Sequence, residues 1–422
     1  MTQETEKWFS ERLLERFLAY VKIDTTSDKH ATNRPTTKGQ WTLAKLLLAQ
    51  LKEAGISDAN LDDGCRLIAS LPCSDGRCES PVVGFMAHLD TAEDAAGANV
   101  KPLVHHNYDG SPIRLADDLI LDPAQFPELA RYVGKTVVTA DGSTLLGADD
   151  KAGIAEIMTA VEHLVKHPEI QHGKVEIIFT PDEETGFGMD TFPLDRIESS
   201  CCYTLDGGSE GTIEAECFEA HKVDVTFQGV PMHLGTARGK LINAVELAAA
   251  FVTMLPKEES PQATDGRFGY YCSLEIAGGL ENASVTVYIR DFEPSECLRR
   301  IEVVRTIATA LQNKHSGSII SIRPSKQYSN MRVFLEKSPE VISLLDRAVQ
   351  EAGLEPAHKI VRGGTDGARL SEMGIPTPNV FTGGHLYHSR LEWAALPAMV
   401  KAAATIVHLA RLWGQARPAP KS

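Results

Sequence analysis

Short apolar segments alternate with helical segments along most of the chain, and this alternation restricts the possible fold more than any other feature. Apolar runs and helical spacing occupy residues 66–71, 82–88, 135–140, 152–166, 175–180, 203–205, 339–352, 377–381 and 396–413. Apolar strands separated by helices predict an α/β sheet that is covered on both faces.

The pattern changes between residues 215 and 327. Strands there alternate apolar and polar residues, at 223–227 and 284–289, and helices follow at 243–255 and 294–314 before a last strand at 318–323. The order predicts a small α+β sandwich of the β-helix-β-β-helix-β type with one sheet face exposed. We therefore expect an α/β catalytic domain in two parts, 1–214 and 328–422, with an inserted lid domain at 215–327.

Composition excludes several classes of protein. Hydrophobic residues make up 43% of the 422 residues, so the chain can bury a large core and is not disordered. The net charge of −15 argues against binding nucleic acid or a membrane surface through charge. The polar N-terminus lacks a signal-peptide pattern, and the eight scattered cysteines form no C-x-x-C. These features predict a cytoplasmic protein with all eight cysteines reduced.

Acidic residues and histidines recur where predicted strands end. The strand at 82–88 ends in His88-Leu89-Asp90, and alternate residues of an extended chain point the same way. His88 and Asp90 can therefore face one site, where Asp90 would orient a metal-bound His88. Taken alone, the pair is as well explained by an ordinary strand end followed by a loop aspartate.

Four further strand ends or turns carry the same chemistry. They contain Asp149 and Asp150 before a helix, Asp182-Glu183-Glu184, Asp206 before two glycines, and His385 with His388. Each alone fits a helix cap or a solvated turn. Together they predict a pair of metal ions at the carboxyl edge of an α/β sheet.

A competing hypothesis is a serine hydrolase, because Gly207-Gly208-Ser209-Glu210-Gly211 matches G-x-S-x-G. A nucleophile elbow must lead into a helix. Residues 212–216 have an extended pattern instead, so the match is not expected to be functional.

With these residues identified, the chain resembles the co-catalytic di-zinc peptidase family that includes carboxypeptidase G and the aminoacylases. The resemblance runs from Leu13 to Glu392 and is most specific at residues 144–158, 179–184, 362–368 and 381–384. It implies an enzyme that removes the N-terminal residue of tripeptides with two Zn²⁺ ions per subunit, Co²⁺ or Mn²⁺ being possible substitutes.

The resemblance also implies a role for individual residues. His88 and Asp206 bind one zinc, Glu184 and His388 bind the other, and Asp149 bridges them through a turn whose Asp149–Asp150 bond is usually cis. Asp90 orients His88, and Glu183 is the general base.

Residues of the lid domain complete the implied site. His233 stabilises the oxyanion from the partner subunit of a homodimer joined through the lid, although Leu234 stands where the family usually has proline. Arg290 binds the substrate carboxylate, and a strand-end ion pair with Asp291 or Glu293 is the alternative. Asn330 and Arg362 are further candidates for substrate contacts.

Two rival functions remain open at this stage. A dipeptidase or an N-acyl amino acid deacylase of the same family would have the same ligand spacing. A catalytically silent peptide-binding homologue would keep the fold, although such a protein usually loses at least one ligand or the base.

Overall fold

The computed structural model describes residues 2–416, so residues 417–422 of the predicted second catalytic segment lie outside the description. The helices are α1 Gln3–Tyr20, α2 Lys38–Glu53, α3 Pro127–Ala130, α4 Ala148–Lys166, α5 Ala244–Met254, α6 Pro294–Lys314, α7 Arg332–Leu335, α8 Pro339–Glu351, α9 Asp366–Glu372 and α10 Leu396–Gln415. The strands are β1 Asn60–Leu61, β2 Leu67–Leu71, β3 Val83–His88, β4 Pro102–His105, β5 Ile113–Arg114, β6 Ile120–Leu121, β7 Val137–Ala140, β8 Val175–Thr180, β9 Cys201–Gly207, β10 Thr212–Cys217, β11 Glu219–Gln228, β12 Tyr270–Gly278, β13 Asn282–Asp291, β14 Ile319–Tyr328, β15 Ala357–Val361, β16 Asn379–Phe381, β17 Gly384–His385 and β18 Trp393–Ala395.

These elements form two compact units. The larger contains the chain up to Ala215, Phe334–Lys359 and the residues from Thr365 onward. The smaller contains Glu216–Val333 and Ile360–Gly364. The smaller unit thus ends six residues later than the lid predicted from the sequence and takes up a second, short segment. The catalytic and lid roles of the two units stay predictions.

The larger unit is built on an eight-stranded sheet of order β1-β2-β8-β3-β9-β16-β10-β15. Strands β8, β3, β9 and β16 run parallel, so their carboxyl ends meet at one edge. On one face Phe85 stacks on Tyr203, whose hydroxyl accepts the indole N–H of Trp413 in α10. On the other face Met86 packs in a cluster with Leu370 of α9. Both faces are covered, which confirms the predicted α/β fold.

A second sheet of the larger unit, of order β17-β18-β7-β4, borders the turn that leads into α4. Its core contains Tyr132, Val137 and Trp393. Strand β18 pairs antiparallel with β7, so the segment after His388 lies beside the segment that precedes Asp149. The two parts of the chain that are predicted to carry ligands are therefore anchored to one sheet.

The smaller unit has the predicted β-helix-β-β-helix-β order, formed by β11, α5, β12, β13, α6 and β14. Its sheet has the order β12-β13-β11-β14, and Val225, Phe251 and Val304 belong to the core between sheet and helices. The sequence pattern did not locate β12. A register irregularity between Ser273 and Glu275 interrupts its alternation, and the strand is an exposed sheet edge.

The expectation that all eight cysteines are reduced is wrong for one pair. Cys73 and Cys78 form a disulfide, because a turn brings their Cα atoms to 5.2 Å. The other six cysteines are free. None of the helices within residues 2–416 combines the length and the apolar character needed to cross a bilayer.

Candidate metal centre

The carboxyl edge of the central sheet brings together the side chains that were predicted at separate strand ends. His88 ends β3, Asp206 lies near the end of β9, and Glu183 and Glu184 follow β8. The His88 Nε2 atom lies 3.7 Å from Asp206 Oδ1. Parallel pairing is the reason, because it places consecutive strand ends at the same edge whatever their distance in sequence.

Asp149 lies between the two histidines of this cluster. Its Oδ1 is 2.8 Å from His88 Nε2, and its Oδ2 is 3.3 Å from His388 Nε2. Glu184 Oε2 is 3.1 Å from the same His388 nitrogen. Each histidine thus has a carboxylate of its own, and Asp149 is common to both. The Asp149–Asp150 peptide bond is cis, as the resemblance implied.

Two sets of donor atoms are close enough to hold a metal ion. His88, Asp149 and Glu184 form one set, and His88, Asp150 and Asp206 form the other, with all donor atoms of a set within 4.8 Å of one another. Glu184 Oε1 and Asp150 Oδ1 are buried without a hydrogen-bond partner. Buried carboxylate oxygens without donors are costly, and a bound cation would satisfy them. Oxygen and imidazole donors in this mixture suit zinc or manganese.

The concentration of buried acids changes how the cluster titrates. Burial raises the pKa of Glu184 to about 7, with a further contribution from Asp149. Burial also raises the pKa of Glu183 well above its usual value. Hydrogen bonds to Asp149 and Glu184 raise the pKa of His388 to about 11. Without a cation this group of residues therefore retains protons that a divalent ion would displace.

Asp90 has more contacts than the sequence suggested. His88 Nδ1 lies 3.0 Å from its backbone oxygen and 3.4 Å from its carboxylate. The carboxylate also accepts the backbone N–H groups of Glu183 and Glu184, at 3.0 and 3.1 Å. Asp90 therefore connects the β3 end to the turn that carries both glutamates. No local sequence signal indicates this second contact.

The predicted lid residues His233 and Arg290 lie in the smaller unit and differ in how exposed their side chains are. His233 is exposed, and its Nδ1 accepts the N–H of Gly235. Arg290 is 7% exposed, donates to the carbonyls of His221 and Ile289, and lies against the rings of Tyr288 and Tyr328.

The alternative explanation for Arg290, an ion pair at the strand end, is not what the structure contains. Asp291 pairs with Arg300, and Glu293 pairs with Arg332. Among the contacts seen in residues 2–416, the guanidinium of Arg290 has carbonyl and tyrosine partners and no carboxylate partner.

Asn330 and Arg362 are held by backbone groups of the smaller unit. The Asn330 amide accepts the N–H of Cys217 and donates to the carbonyl of Phe292. Arg362 donates to the carbonyls of Gly266 and Phe268 and stacks on two rings. A substrate contact by either residue stays a prediction.

Three polar residues near the cluster were missed by sequence reasoning. Tyr387 donates to the carbonyl of Gly207, Asp366 accepts the Thr180 hydroxyl, and Glu392 accepts N–H groups of the turn before α4. Tyr387 and Asp366 stand in motifs that had been singled out, so their position gave a weak signal. Glu392 stands beside no recognisable motif.

A chain with this fold and this cluster can be compared with known proteins. Residues 141–412 match Peptidase family M20/M25/M40. The protein therefore belongs to that family of peptidases. Within it, relatives named Peptidase T align with nearly the whole chain: the protein of Listeria welshimeri is 46% identical over 405 residues, covering 96% of this chain and 98% of the relative. That of Geobacillus thermodenitrificans is 44% identical over 407 residues, covering 96% and 99%.

Solved structures of several peptidases share the fold. The aminopeptidase PepT from Bacillus cereus superposes with a TM-score of 0.73 at 22% identity, covering 96% of this chain and 98% of its own. A tripeptidase from Staphylococcus aureus gives a TM-score of 0.76 at 19% identity, covering 96% and 99%. A dinuclear metal binding peptidase from Bacillus subtilis gives 0.66 at 16% identity, covering 96% and 98%.

Proposed function

We propose that this protein is an aminopeptidase that releases the N-terminal residue of tripeptides. One observation carries the proposal: the cluster in which Asp149 lies between His88 and His388 belongs to a chain that aligns with Peptidase T over 96% of its length. A protein that only bound peptides would not need Glu183 beside such a cluster.

The proposed cofactor is a pair of zinc ions, for which Co²⁺ or Mn²⁺ can substitute. His88 and Asp206 would hold one ion, Glu184 and His388 would hold the other, and Asp149 would serve both. When bound, such a pair would lower the pKa of a water molecule and polarise the scissile carbonyl. The orphaned Oε1 of Glu184, one of the proposed ligands, supports a cation at this position.

The protein's own residues move the proton. Glu183 accepts it from the attacking water and donates it to the leaving amine. Asp90 holds the Glu183 turn through the backbone, so the base has a defined position. His233 donates to the oxyanion, and Arg290 pairs with the substrate carboxylate.

The proposed assembly is a homodimer joined through the smaller unit, which would let His233 act on the partner's site. The proposed location is the cytoplasm. Six free cysteines support a reducing compartment, and the Cys73–Cys78 disulfide is the exception that this part of the proposal must accommodate.

The proposed function is tested by measuring hydrolysis of three related peptides by the zinc-loaded enzyme. The peptides are a free tripeptide, its N-acetylated form and the matching dipeptide. Cleavage of the free tripeptide alone supports an aminotripeptidase. Cleavage of the dipeptide or the acetylated peptide would transfer the assignment to the dipeptidase or deacylase branch. Absence of cleavage with zinc bound would favour a silent binder. Glu183→Gln protein prepared in parallel controls for contaminating peptidases.

A further inference from the structure

The turn that carries Asp149 is held by a glutamate from a distant part of the chain. Glu392 Oε2 accepts the backbone N–H groups of Leu146 and Gly147, both at 2.7 Å. Its Oε1 accepts the N–H of Asp149 at 3.1 Å. Glu392 is 1% exposed, so water does not replace these bonds. One buried carboxylate thus fixes three backbone donors within residues 146–149 of the turn.

The local backbone explains why this turn needs an external acceptor. Helix α4 is assigned from Ala148, but Asp149 and Asp150 have non-helical backbone angles. The N–H groups of Leu146, Gly147 and Asp149 therefore need a partner outside the regular helix. Gly147 has a φ of 81°, a left-handed conformation that a residue with a side chain adopts only with strain. The Glu392 carboxylate both satisfies these donors and places a negative charge near the positive end of the helix.

Glu392 also connects two segments that carry proposed ligands. It lies four residues after His388 and directly before β18, which pairs with β7 in the sheet that borders the turn. Lys151, 1% exposed, interacts electrostatically with Glu392 and donates to the carbonyl of Ile23. Glu392 therefore has a buried cation in its surroundings within the larger unit.

We propose that Glu392 is a positioning residue for metal binding, which sets the orientation of Asp149 by holding the backbone of residues 146–149. The inference rests on the proposed role of Asp149 as a bridging ligand. The hydrogen bonds that Glu392 makes within residues 2–416 are to backbone N–H groups, so it acts through the backbone of the turn.

The test measures the affinity for Zn²⁺ by calorimetry and the visible spectrum of the Co²⁺-loaded protein, in the unmodified protein and in Glu392→Gln. The amide replaces one acceptor oxygen by a donor that faces backbone N–H groups, so the turn cannot keep all three bonds. We expect zinc affinity to fall by about 10–100-fold, as for other residues that orient ligands, and the Co²⁺ bands to shift.

Glu176 provides a matched control. It is also 1% exposed, and its carboxylate accepts the N–H groups of Glu198 and Ser199 at the opposite end of β8. Glu176→Gln should lower the thermal stability while leaving zinc affinity and the Co²⁺ spectrum unchanged. A loss of zinc affinity in Glu176→Gln as large as that in Glu392→Gln would show general destabilisation and overturn the inference.

Glu392→Asp covers the case in which Glu392→Gln does not fold. Aspartate keeps the charge, but its side chain is one methylene group shorter, so the carboxylate lies farther from the turn. We therefore expect this variant to bind zinc less tightly than the unmodified protein does. If a folded Glu392 variant binds zinc as tightly as the unmodified protein does, the inference is overturned, while the proposed function stands. Failure of the unmodified protein to bind zinc would instead remove the proposed function itself.

Discussion

The Nε2 atom of His88 lies 2.8 Å from Oδ1 of Asp149, although 61 residues separate them in the chain. Burial raises the pKa of the Asp149 carboxyl, but its bonds to His388 and His88 outweigh burial and the net pKa is lowered. The two side chains therefore form an ion pair in the absence of a cation. A bound metal ion would take the place of the proton between them.

Glu183→Gln is expected to retain metal and lose about 10²–10⁴-fold in kcat, because the amide keeps the shape of the side chain but cannot accept a proton. Metal content by elemental analysis and kcat for a tripeptide check this prediction. Glu198→Gln, an exposed glutamate of the same unit, is the control and should change neither quantity. Substantial turnover by metal-loaded Glu183→Gln would mean that another residue is the base.

A subunit-mixing experiment tests whether His233 acts across a dimer. Glu183→Gln and His233→Ala proteins are each expected to be nearly inactive. If His233 serves the partner's site, a mixed dimer has one complete site, so co-expression of both chains should restore about a quarter of the unmodified activity through random pairing. Activity of the co-expressed sample as low as that of the separate variants would show that His233 does not act across the dimer. Full activity of His233→Ala by itself would show that His233 has no catalytic role.

Arg290→Lys is expected to reduce the preference for a free C-terminal carboxylate. The guanidinium can make a bidentate pair that an ammonium cannot. We expect kcat/KM for a tripeptide to fall by about 10–100-fold, and for the tripeptide amide to change little. The control is Arg323→Lys, an exposed arginine of the same sheet. Equal losses for acid and amide would falsify the carboxylate role and assign Arg290 to folding through its carbonyl contacts.

The free energy of unfolding is expected to fall as pH rises because the carboxyl group of Glu156 is buried. It is fully buried in α4, both its oxygens lack hydrogen-bond partners, and burial raises its pKa well above the ordinary 4.5. Above pH 4.5 the unfolded chain releases this proton while the native protein retains it, so the free energy of unfolding decreases with pH by up to about 1.4 kcal/mol per unit.

Glu156→Gln should remove that contribution, so that its stability relative to the unmodified protein improves steadily between pH 5 and pH 8. Urea unfolding of the metal-free proteins across this range measures the difference. Glu53→Gln, which alters an exposed carboxylate at the end of α2, should show no such trend. A difference between Glu156→Gln and the unmodified protein that is constant with pH would contradict the prediction.

Local patterns were sufficient for the fold class and for the assembly of the proposed ligands. Apolar runs identified β3 and β8. His88 at the end of β3 and Glu184 after β8 lie close together because parallel strands share one carboxyl edge. The bounds of α6, residues 294–314, could be read from its periodicity and its initial proline. Strand β12 was missed because its irregular register removes the alternation on which the prediction depends.

The hydrogen-bond partners of buried polar groups were decided only by the tertiary structure. Glu392 lies 243 residues from Asp149, whose N–H it accepts, and Asp90 accepts an N–H 93 residues away at Glu183. Asn330 has its amide engaged by backbone groups that no sequence pattern identifies. Periodicity and strand ends are properties of neighbouring residues, so the sequence displays them directly. A buried carboxylate pairs with distant backbone N–H groups that have no partner in a helix or strand. Which N–H groups lie near it is determined only when the chain has folded.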